Sequence, residues 1–413
     1  MTRRRGVLIL LCSLSAITFL DRLAIAVTEP GIRTDLRLGP DKWGWILSAY
    51  VLANALFEIP SGARGDRRGQ RSELTRIVSL WSGFTIATGW CRNFLQIVSA
   101  RFLFGLGTAG AYPNASGVIA RCFPHEEHAR AQGFLWAAGR LGAALAPLLL
   151  VPLARVCGWR SVFWVMGAIG VVWAITWWMW FRVKPERANE LTEDGLQNIS
   201  AQSALTPIRG EIPWRRLIAL PQLWLIMAAY FCYAWGSWFF FGWFTTWMVR
   251  GEGFSIAQMG IFASFPFVMA MFGNLIGGAL SRRLVLKMGD VSAYRWVTAS
   301  CLIVGAALLL AMSSVRGHLA VVALATVSFG VMDLMLPSAW AMCMGLGGRC
   351  GGTATAMMNT AGNLGGSVCA LAFGYVVKAT GNYNLPLQMI AVMVLLAALL
   401  FARVDCTHGL RDA

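Results

Sequence analysis

Asp21 and Arg22 form a charged pair inside the first long apolar segment of this 413-residue chain. The residues on either side of the pair, 7–20 and 23–27, are almost wholly apolar. A charge near the middle of a bilayer costs about 2.5–3.5 kcal/mol on insertion scales, so such charges usually line a pathway. A carboxylate there can carry a proton and a guanidinium can hold an anion. The alternative is a structural pair at a helix break.

Two further arginines lie inside apolar segments. Arg101 and Thr108 are seven residues apart, about two helical turns, so they share one face of a helix. Arg101 either lines the pathway or links its helix to another helix or to a cytoplasmic loop. Arg140, together with Arg22, would give the N-terminal half a cavity with excess positive charge, which suits a carboxylate. The alternative for Arg140 is a bond to backbone carbonyls at a helix break.

A group of polar residues interrupts an apolar run in the second half of the chain. Asp333 and Pro337 lie within that run, and Asp333 is either a second proton site or a structural partner. Ser338 and Trp340 follow directly, and we predict that they bind substrate. The aromatic residues around Tyr233 are predicted to serve mainly in packing or at the membrane interface.

Two asparagines lie in a later glycine-rich segment. Asn359 and Asn363 are four residues apart and therefore share one helix face. An asparagine in a membrane helix either joins two helices or bonds to a polar ligand. We assign Asn359 to the ligand and Asn363 to helix packing.

The composition is that of a membrane protein. The chain is 57% hydrophobic and 13% charged, whereas a soluble protein is about 25% charged. Apolar stretches of about 20 residues, the length that crosses a bilayer, recur along the whole sequence. The sequence therefore predicts an all-α membrane protein with twelve transmembrane helices. The spans are predicted near residues 6–27, 43–62, 74–91, 95–118, 131–153, 158–181, 217–248, 255–280, 293–313, 318–345, 351–377 and 384–403.

The basic residues explain the formal net charge of +16. Most lysines and arginines fall in the loops of one side, and the positive-inside rule places both termini and those loops in the cytoplasm. The charge is therefore a topology signal, and nucleic-acid binding is not expected. The first span follows the basic start of the chain without a small-residue cleavage pattern, so we interpret it as a retained helix.

The longest polar break divides the chain. Residues 182–216 are predicted to be a cytoplasmic linker between an N-terminal six-helix bundle, 1–181, and a C-terminal one, 217–413. The ten cysteines are scattered without metal-ligand spacing, so no metal or cofactor is predicted.

The loop after the second span carries a motif. It resembles the signature of the major facilitator superfamily, G-x-x-x-D-[RK]-x-G-[RK]-[RK], although Gln70 departs from the pattern. Glycines allow close helix approach, and Asp66 can accept hydrogen bonds from a neighbouring helix end in one conformation. At the matching place in the second half Arg282 stands where the aspartate is expected. We predict a conformational gating role for Arg101 and for the residues that match the signature, Gly62, Asp66, Arg67, Gly69 and Arg71.

Further motifs narrow the resemblance to the anion:cation symporter family, which includes bacterial sugar-acid:proton symporters. They are Phe19–Arg22, Phe57–Gly62, Ala111–Asn114 and Asn359–Gly366. The resemblance implies that Arg22 holds a substrate carboxylate and that Asp21 takes part in proton coupling.

Three positions depart from the family pattern at the implied site. Thr108 replaces a glutamate that is often found in bacterial members, Asn54 replaces a common tyrosine that contacts substrate, and Arg140 replaces a glutamine. We nevertheless predict that Asn54 and Arg140 bind substrate.

The predicted function is import of a small organic anion, a sugar acid or related carboxylate, by a monomer in the inner membrane through alternating access with proton symport. The alternative is an exporter or uniporter of another anion. A ligand-sensing transceptor is less favoured because the chain lacks a sizeable cytoplasmic domain. An enzyme is not predicted because no catalytic triad, nucleotide signature or metal-ligand cluster is present.

Overall fold

The structure is a computed structural model that describes residues 3–38, 40–181, 212–244, 247–255, 258, 262–315 and 317–406. Helices joined by short turns account for these residues, and no strand occurs among them. The all-α prediction is confirmed. Most of the predicted linker, residues 182–211, lies outside the described residues.

The chain forms two compact units that interleave along the sequence. Unit 1 comprises residues 1–123, 142–213 and 349–356, and unit 2 comprises 124–141, 214–348 and 357–413. Two helices therefore contribute residues to both units. The division into six-helix bundles at the linker stays a prediction.

The helices that begin in the first half of the chain follow one another closely. They are α1 (Arg3–Val27), α2 (Glu29–Asp35), α3 (Pro40–Arg68), α4 (Gln70–Trp90), α5 (Phe94–Thr108), α6 (Ala111–Cys122), α7 (His128–Cys157) and α8 (Trp159–Trp180). A 3-10 turn, His125–Glu127, precedes α7.

The remaining helices have the same character. They are α9 (Trp214–Ala219), α10 (Pro221–Gly242), α11 (Phe265–Met288), α12 (Asp290–Met312), α13 (His318–Asp333), α14 (Leu336–Gly347), α15 (Gly351–Thr380) and α16 (Asn384–Phe401). A π-helical turn, Trp247–Gly251, follows α10, and a 3-10 turn, Gly348–Cys350, precedes α15.

Two predicted spans are broken near their middle. Gly110, with a left-handed φ of 82°, separates α5 from α6. The run 318–347 is split between α13 and α14 at Leu334 and Met335, one residue after Asp333. Asp21 and Arg22, by contrast, lie well inside the continuous α1, so the alternative of a structural pair at a helix break is wrong.

The described residues contain eight helical stretches that are long and apolar enough to cross a membrane. The predicted count of twelve helices stays a prediction. Several helices run past the predicted ends of their spans; α3 continues past residue 62 to Arg68, and α11 continues past residue 280 to Met288. Arg282, Arg283 and Lys287 are good helix formers, and the helix stops only at Gly289, whose φ is 80°.

The core of unit 1 includes a cluster in which α8 packs against α1 and α2. Trp159, Phe163 and Met166 of α8 are buried with Ile25 of α1 and Ile32 of α2. This packing holds α1 in place, and α1 carries the charged pair.

Candidate functional site

The adjacent charges of α1 point in different directions. Asp21 is fully buried, and its Oδ2 accepts a hydrogen bond of 3.0 Å from Thr85 Oγ1 on α4. Arg22 is half-buried, and its guanidinium lies 5.4 Å from the ring centre of Phe19, 5.7 Å from that of Tyr50 and 5.9 Å from that of Tyr112. Successive helical residues are rotated by about 100°. The two charges therefore meet different surroundings, as the helical rotation predicts.

Arg101 is a buried cation of unit 1 that is close enough to Asp21 for an electrostatic interaction. Its side chain is 1% exposed, and its guanidinium lies 4.1 Å from the ring centre of Phe104 and 5.4 Å from that of Tyr50. Its Nε and Nη1 have no hydrogen-bond partner among the described residues. Arg101 thus belongs to the polar interior of unit 1 beside Asp21.

The two residues that depart from the family pattern at positions 54 and 108 are hydrogen-bonded to each other. Asn54 is buried and its Nδ2 donates to Thr108 Oγ1 at 3.2 Å. The Thr108 hydroxyl in turn donates to the backbone oxygen of Phe104 at 3.1 Å. A neutral hydrogen-bonded pair therefore occupies the place where a titratable glutamate is common.

Arg140 forms an ion pair with Asp333 inside unit 2. Arg140 Nε lies 2.7 Å from Asp333 Oδ2, and Arg140 Nη2 lies 3.2 Å from Oδ1, so the pairing is bidentate. Arg140 is 3% exposed and Asp333 is fully buried. The predicted excess of positive charge from Arg140 is wrong, because Asp333 balances it. The alternative, in which Arg140 bonds to backbone carbonyls at a helix break, does not account for this bidentate pair.

Two more side chains donate to the same carboxylate. Tyr233 OH lies 2.8 Å from Asp333 Oδ1, and Asn274 Nδ2 lies 3.0 Å from Oδ2. Asp333 ends α13, and a negative charge at a helix C-terminus is unfavourable. The donors from α10 and α11 offset that cost. Tyr233 was assigned to packing from the sequence, and its hydroxyl also has this polar role.

Two of the other three predicted substrate residues of unit 2 have defined partners. Ser338 shares a hydrogen bond with Ser281. Trp340 is fully buried and its Nε1 donates to Tyr230 OH at 3.2 Å. Asn359 is half-buried on α15. Substrate binding by Ser338, Trp340 and Asn359 stays a prediction.

The motif aspartate meets the start of a helix, as its motif predicts. Asp66 Oδ2 accepts hydrogen bonds from the backbone nitrogen of Thr353 at 2.7 Å and from Thr353 Oγ1 at 2.8 Å. Gln70 Nε2 donates to Asp66 Oδ1 at 3.0 Å, and Arg121 Nη2 lies 3.5 Å from the same oxygen. Thr353 is in the first turn of α15, where free N–H groups and the helix dipole favour an anion.

The motif glycines permit this contact. A Cβ added at Gly62 would lie 2.7 Å from Ala356 Cβ and 2.7 Å from the oxygen of Gly352, so α3 and the first turns of α15 approach closely. Gly69 has a φ of 92° where α3 gives way to α4. Arg71 stacks 4.0 Å over the Trp178 ring, while Arg67 is exposed. The gating role of these residues stays a prediction.

Glu73 is a buried acid that the sequence analysis missed. It is 2% exposed and accepts a hydrogen bond from Ser61 Oγ at 3.1 Å. Arg76 Nε donates to it at 3.1 Å, and Arg64 Nε lies 3.2 Å away. The signal was present, because Glu73 lies in the first turn of α4 with Arg76 three residues later.

At the place in the second half where the motif aspartate is missing, an arginine pairs with an acidic residue instead. Arg282 of α11 lies 3.9 Å from Glu127, in the turn before α7. His125 of the same turn pairs with Asp290 at 2.8 Å. Both pairs are partly exposed, so each contributes little to stability.

The sequence pattern of the Major Facilitator Superfamily matches residues 11–370. This chain belongs to the Major Facilitator Superfamily. It is 29% identical over 399 residues to the probable sulfoacetate transporter of Cupriavidus necator, covering 96% of this chain and 92% of that protein. It is 26% identical over 410 residues to the probable galactarate/D-glucarate transporter of Bacillus subtilis, covering 95% and 90%.

Two solved structures share the fold. The Escherichia coli fucose:proton symporter has a TM-score of 0.72 at 14% identity, with 98% of this chain and 99% of that chain covered. The proton:xylose symporter XylE has a TM-score of 0.76 at 15% identity, with 96% and 94% covered. The chain therefore has the major facilitator fold. It is a multi-pass membrane transporter and not an enzyme.

Proposed function

We propose that this protein imports a small organic anion, a sugar acid or a related carboxylate, together with protons. The observation that carries the proposal is the arrangement on α1. Arg22 lies half-buried among three aromatic rings, while Asp21 beside it is buried against another helix. The names of the relatives, transporters of sulfoacetate and of galactarate and D-glucarate, support an acid of this class.

Arg22 is the proposed carboxylate anchor. Its planar fork can bind both oxygens of a carboxylate, and the rings of Phe19, Tyr50 and Tyr112 hold it without neutralising its charge. Asn54 lies on α3, where its amide oxygen can accept from a substrate hydroxyl while Nδ2 stays on Thr108. The unit thus offers one charged anchor and one neutral polar contact.

Asp21 is the proposed proton carrier of unit 1. Arg22 is adjacent to Asp21 in sequence, but the positive charge with an electrostatic interaction with Asp21 is that of Arg101 on α5. An anion bound near these arginines adds negative charge beside Asp21, and like charges favour the neutral carboxyl. Anion binding and proton binding thereby strengthen each other through a coupling free energy.

The transport cycle is proposed to be alternating access by a monomer of the inner membrane, with both termini in the cytoplasm. The hydrogen bonds from Thr353 to Asp66 would form in one state and break in another. The uneven distribution of lysine and arginine supports this orientation.

Uptake into proteoliposomes tests the proposal. Purified protein would be assayed with sulfoacetate, D-glucarate, D-galactonate and a hexuronate, with and without an imposed inward pH gradient. We expect accumulation of at least one acid that depends on the gradient. Arg22→Lys should lose about 1–3 kcal/mol of binding because lysine lacks the bidentate fork. Arg155→Lys, at an exposed position of α7, is the matched control. Accumulation unchanged in Arg22→Lys would remove Arg22 from the site.

A second candidate is an exporter or uniporter without proton coupling. The hydrogen bond between Asn54 and Thr108 favours it, since neither residue can titrate. Anion flux that ignores the pH gradient in the same assay would select this function.

A further inference from the structure

The ion pair between Arg140 and Asp333 has an unusual setting. Both side chains are buried, and the rings of Phe241 and Phe329 lie 5.0 and 5.4 Å from the guanidinium. Desolvating two charges can outweigh their attraction, so a buried pair is weak evidence of a stabilising role. Charges retained in a membrane interior usually serve function. The pair therefore calls for a role beyond packing.

The chemistry of the pair is that of an anion-binding site already filled. Arg140 presents a fork of two donors to two carboxylate oxygens at 2.7 and 3.2 Å. A carboxylate or sulfonate of a substrate would need the same two donors. Asp333 therefore stands where a substrate anion would bind.

We propose that substrate anion and Asp333 exchange at Arg140, and that the displaced Asp333 takes up a proton. In the net step, the pair of Arg140 and Asp333 takes up one anion and one proton. The products are Arg140 with the anion bound and a neutral Asp333, so charge and atoms balance. It rests on the proposed function and adds a second proton to the one assigned to Asp21. Without the proton, displacement would leave an uncompensated carboxylate in the interior, which is strongly unfavourable.

The surroundings of Asp333 can accommodate its neutral form. Asn274 faces Asp333 with Nδ2, and its Oδ1 is buried without a hydrogen-bond partner among the described residues, so rotation of the amide would present an acceptor to a protonated carboxyl. The Tyr233 hydroxyl, now a donor to Oδ1, can rotate to accept instead. These two groups and Arg140 face Asp333 from α11, α10 and α7.

The charged residues of another helix that packs on α13 have partners other than Asp333. α12 contacts α13, and its Asp290 pairs with His125 while its Arg295 lies 3.4 Å from Asp405. Proton uptake linked to Arg140 is therefore assigned to Asp333.

The test counts protons taken up when purified protein binds whichever of the four acids binds the wild type most tightly. A pH dye in weakly buffered solution near pH 7.5 reports the count, and a titration gives Kd. We expect Asp333→Asn to take up one proton fewer per bound anion. It should also bind more tightly, because Arg140 no longer has a competitor. The slope of log Kd against pH should be smaller by one in Asp333→Asn than in the wild type. The Kd of the variant should therefore change about tenfold less for each pH unit.

Control variants separate exchange from a structural role. Asp290→Asn is the matched control, because this partly exposed acid pairs with His125 and not with Arg140, so the variant should keep the wild-type proton count. The double variant Arg140→Gln with Asp333→Asn removes both charges and covers the case in which Asp333→Asn fails to fold. It should bind more weakly than wild type and also take up one proton fewer. A structural pair instead predicts the wild-type count and affinity in the double variant.

Unchanged proton uptake in Asp333→Asn, with equal or weaker affinity, would overturn the exchange. An unchanged count in the double variant would do the same. Wild-type protein that binds an acid but carries none of it into proteoliposomes would refute the proposed import, while the proton count would still decide the exchange.

Discussion

Replacing Gly62 by alanine places a methyl group where α3 touches the first turns of α15. The new Cβ would lie 2.7 Å from Ala356 Cβ and from the Gly352 oxygen, closer than carbon and oxygen atoms approach without displacement. Gly83 on α4 is the matched control, because a Cβ there meets nothing within 4 Å. Gly62→Ala should therefore disfavour the state in which Asp66 bonds to Thr353, and Gly83→Ala should not.

The magnitude follows from the steric term. Overpacking costs about 1–3 kcal/mol, whereas the gain from removing a helical glycine is common to both conformations as long as α3 stays helical, so it cancels. A cost of about 1–3 kcal/mol corresponds to a shift in population of roughly 5- to 150-fold. The shift opposes the conformation in which α3 and α15 touch.

A native cysteine reports this shift. Cys350, just before α15, is 4% exposed, and burial raises the pKa of its thiol to about 12, so its thiolate is scarce in this state. With the other cysteines replaced, maleimide should label Cys350 in Gly62→Ala roughly 5- to 150-fold faster than in the parent protein. Equal labelling rates in the parent, Gly62→Ala and Gly83→Ala would show that this contact does not control the conformation.

Three other perturbations have expected outcomes. Asp66→Asn weakens charge-assisted hydrogen bonds from Thr353 worth about 1.5–3 kcal/mol each, so it should also speed Cys350 labelling, and an unchanged rate would contradict the latch. Asp21→Asn should remove one of the two proposed coupled protons, so accumulation driven by a pH gradient should fall while counterflow stays measurable, whereas unchanged accumulation would leave Asp333 as the only proposed proton carrier. Hydrogen bonds from Trp159 and then Arg160 lower the pKa of Asp35. Its stabilising contribution is therefore present above about pH 4, the ordinary value, and is lost as the pH falls through the lowered pKa. Thermal unfolding from pH 6 to pH 3 should show less loss for Asp35→Asn than for wild type.

Local geometry was the part of the site that the sequence could predict. The different orientations of Asp21 and Arg22 follow from the helical rotation alone. The contact of Asp66 with a helix start follows from its motif. The interruption after Asp333 was also predicted, although the break comes at Leu334 and Met335, before Pro337. The orientations on α1 and the interruption near Asp333 have causes within a few residues, whereas the motif of Asp66 predicted the kind of partner, a helix end, but not that the partner is Thr353, 287 positions away.

Contacts between distant residues were not predictable in this way. Arg140 and Asp333 are 193 positions apart, and nothing near either residue indicates the other. The sequence showed two isolated charges, so Arg140 was assigned to the substrate and Asp333 to proton coupling or to an unidentified structural partner. The interaction of Arg101 with Asp21 was not foreseen for the same reason, since the two residues lie on different helices, α5 and α1.

The glycine connectors and the broken helix pairs have a consequence for how the ancestry of the chain is traced. Gly69 and Gly289 both adopt positive φ, at 92° and 80°, where α3 joins α4 and where α11 joins α12. Each connector is followed by one continuous helix and then by a broken pair, α5 and α6 or α13 and α14. The first break uses Gly110, whereas the second has no glycine at Leu334 and Met335. If the two halves descend from one duplicated gene, the path of the backbone has been kept although the residues that shape it have changed. Aligning the two halves by helix breaks and φ signs would therefore recover a common origin that residue identity conceals.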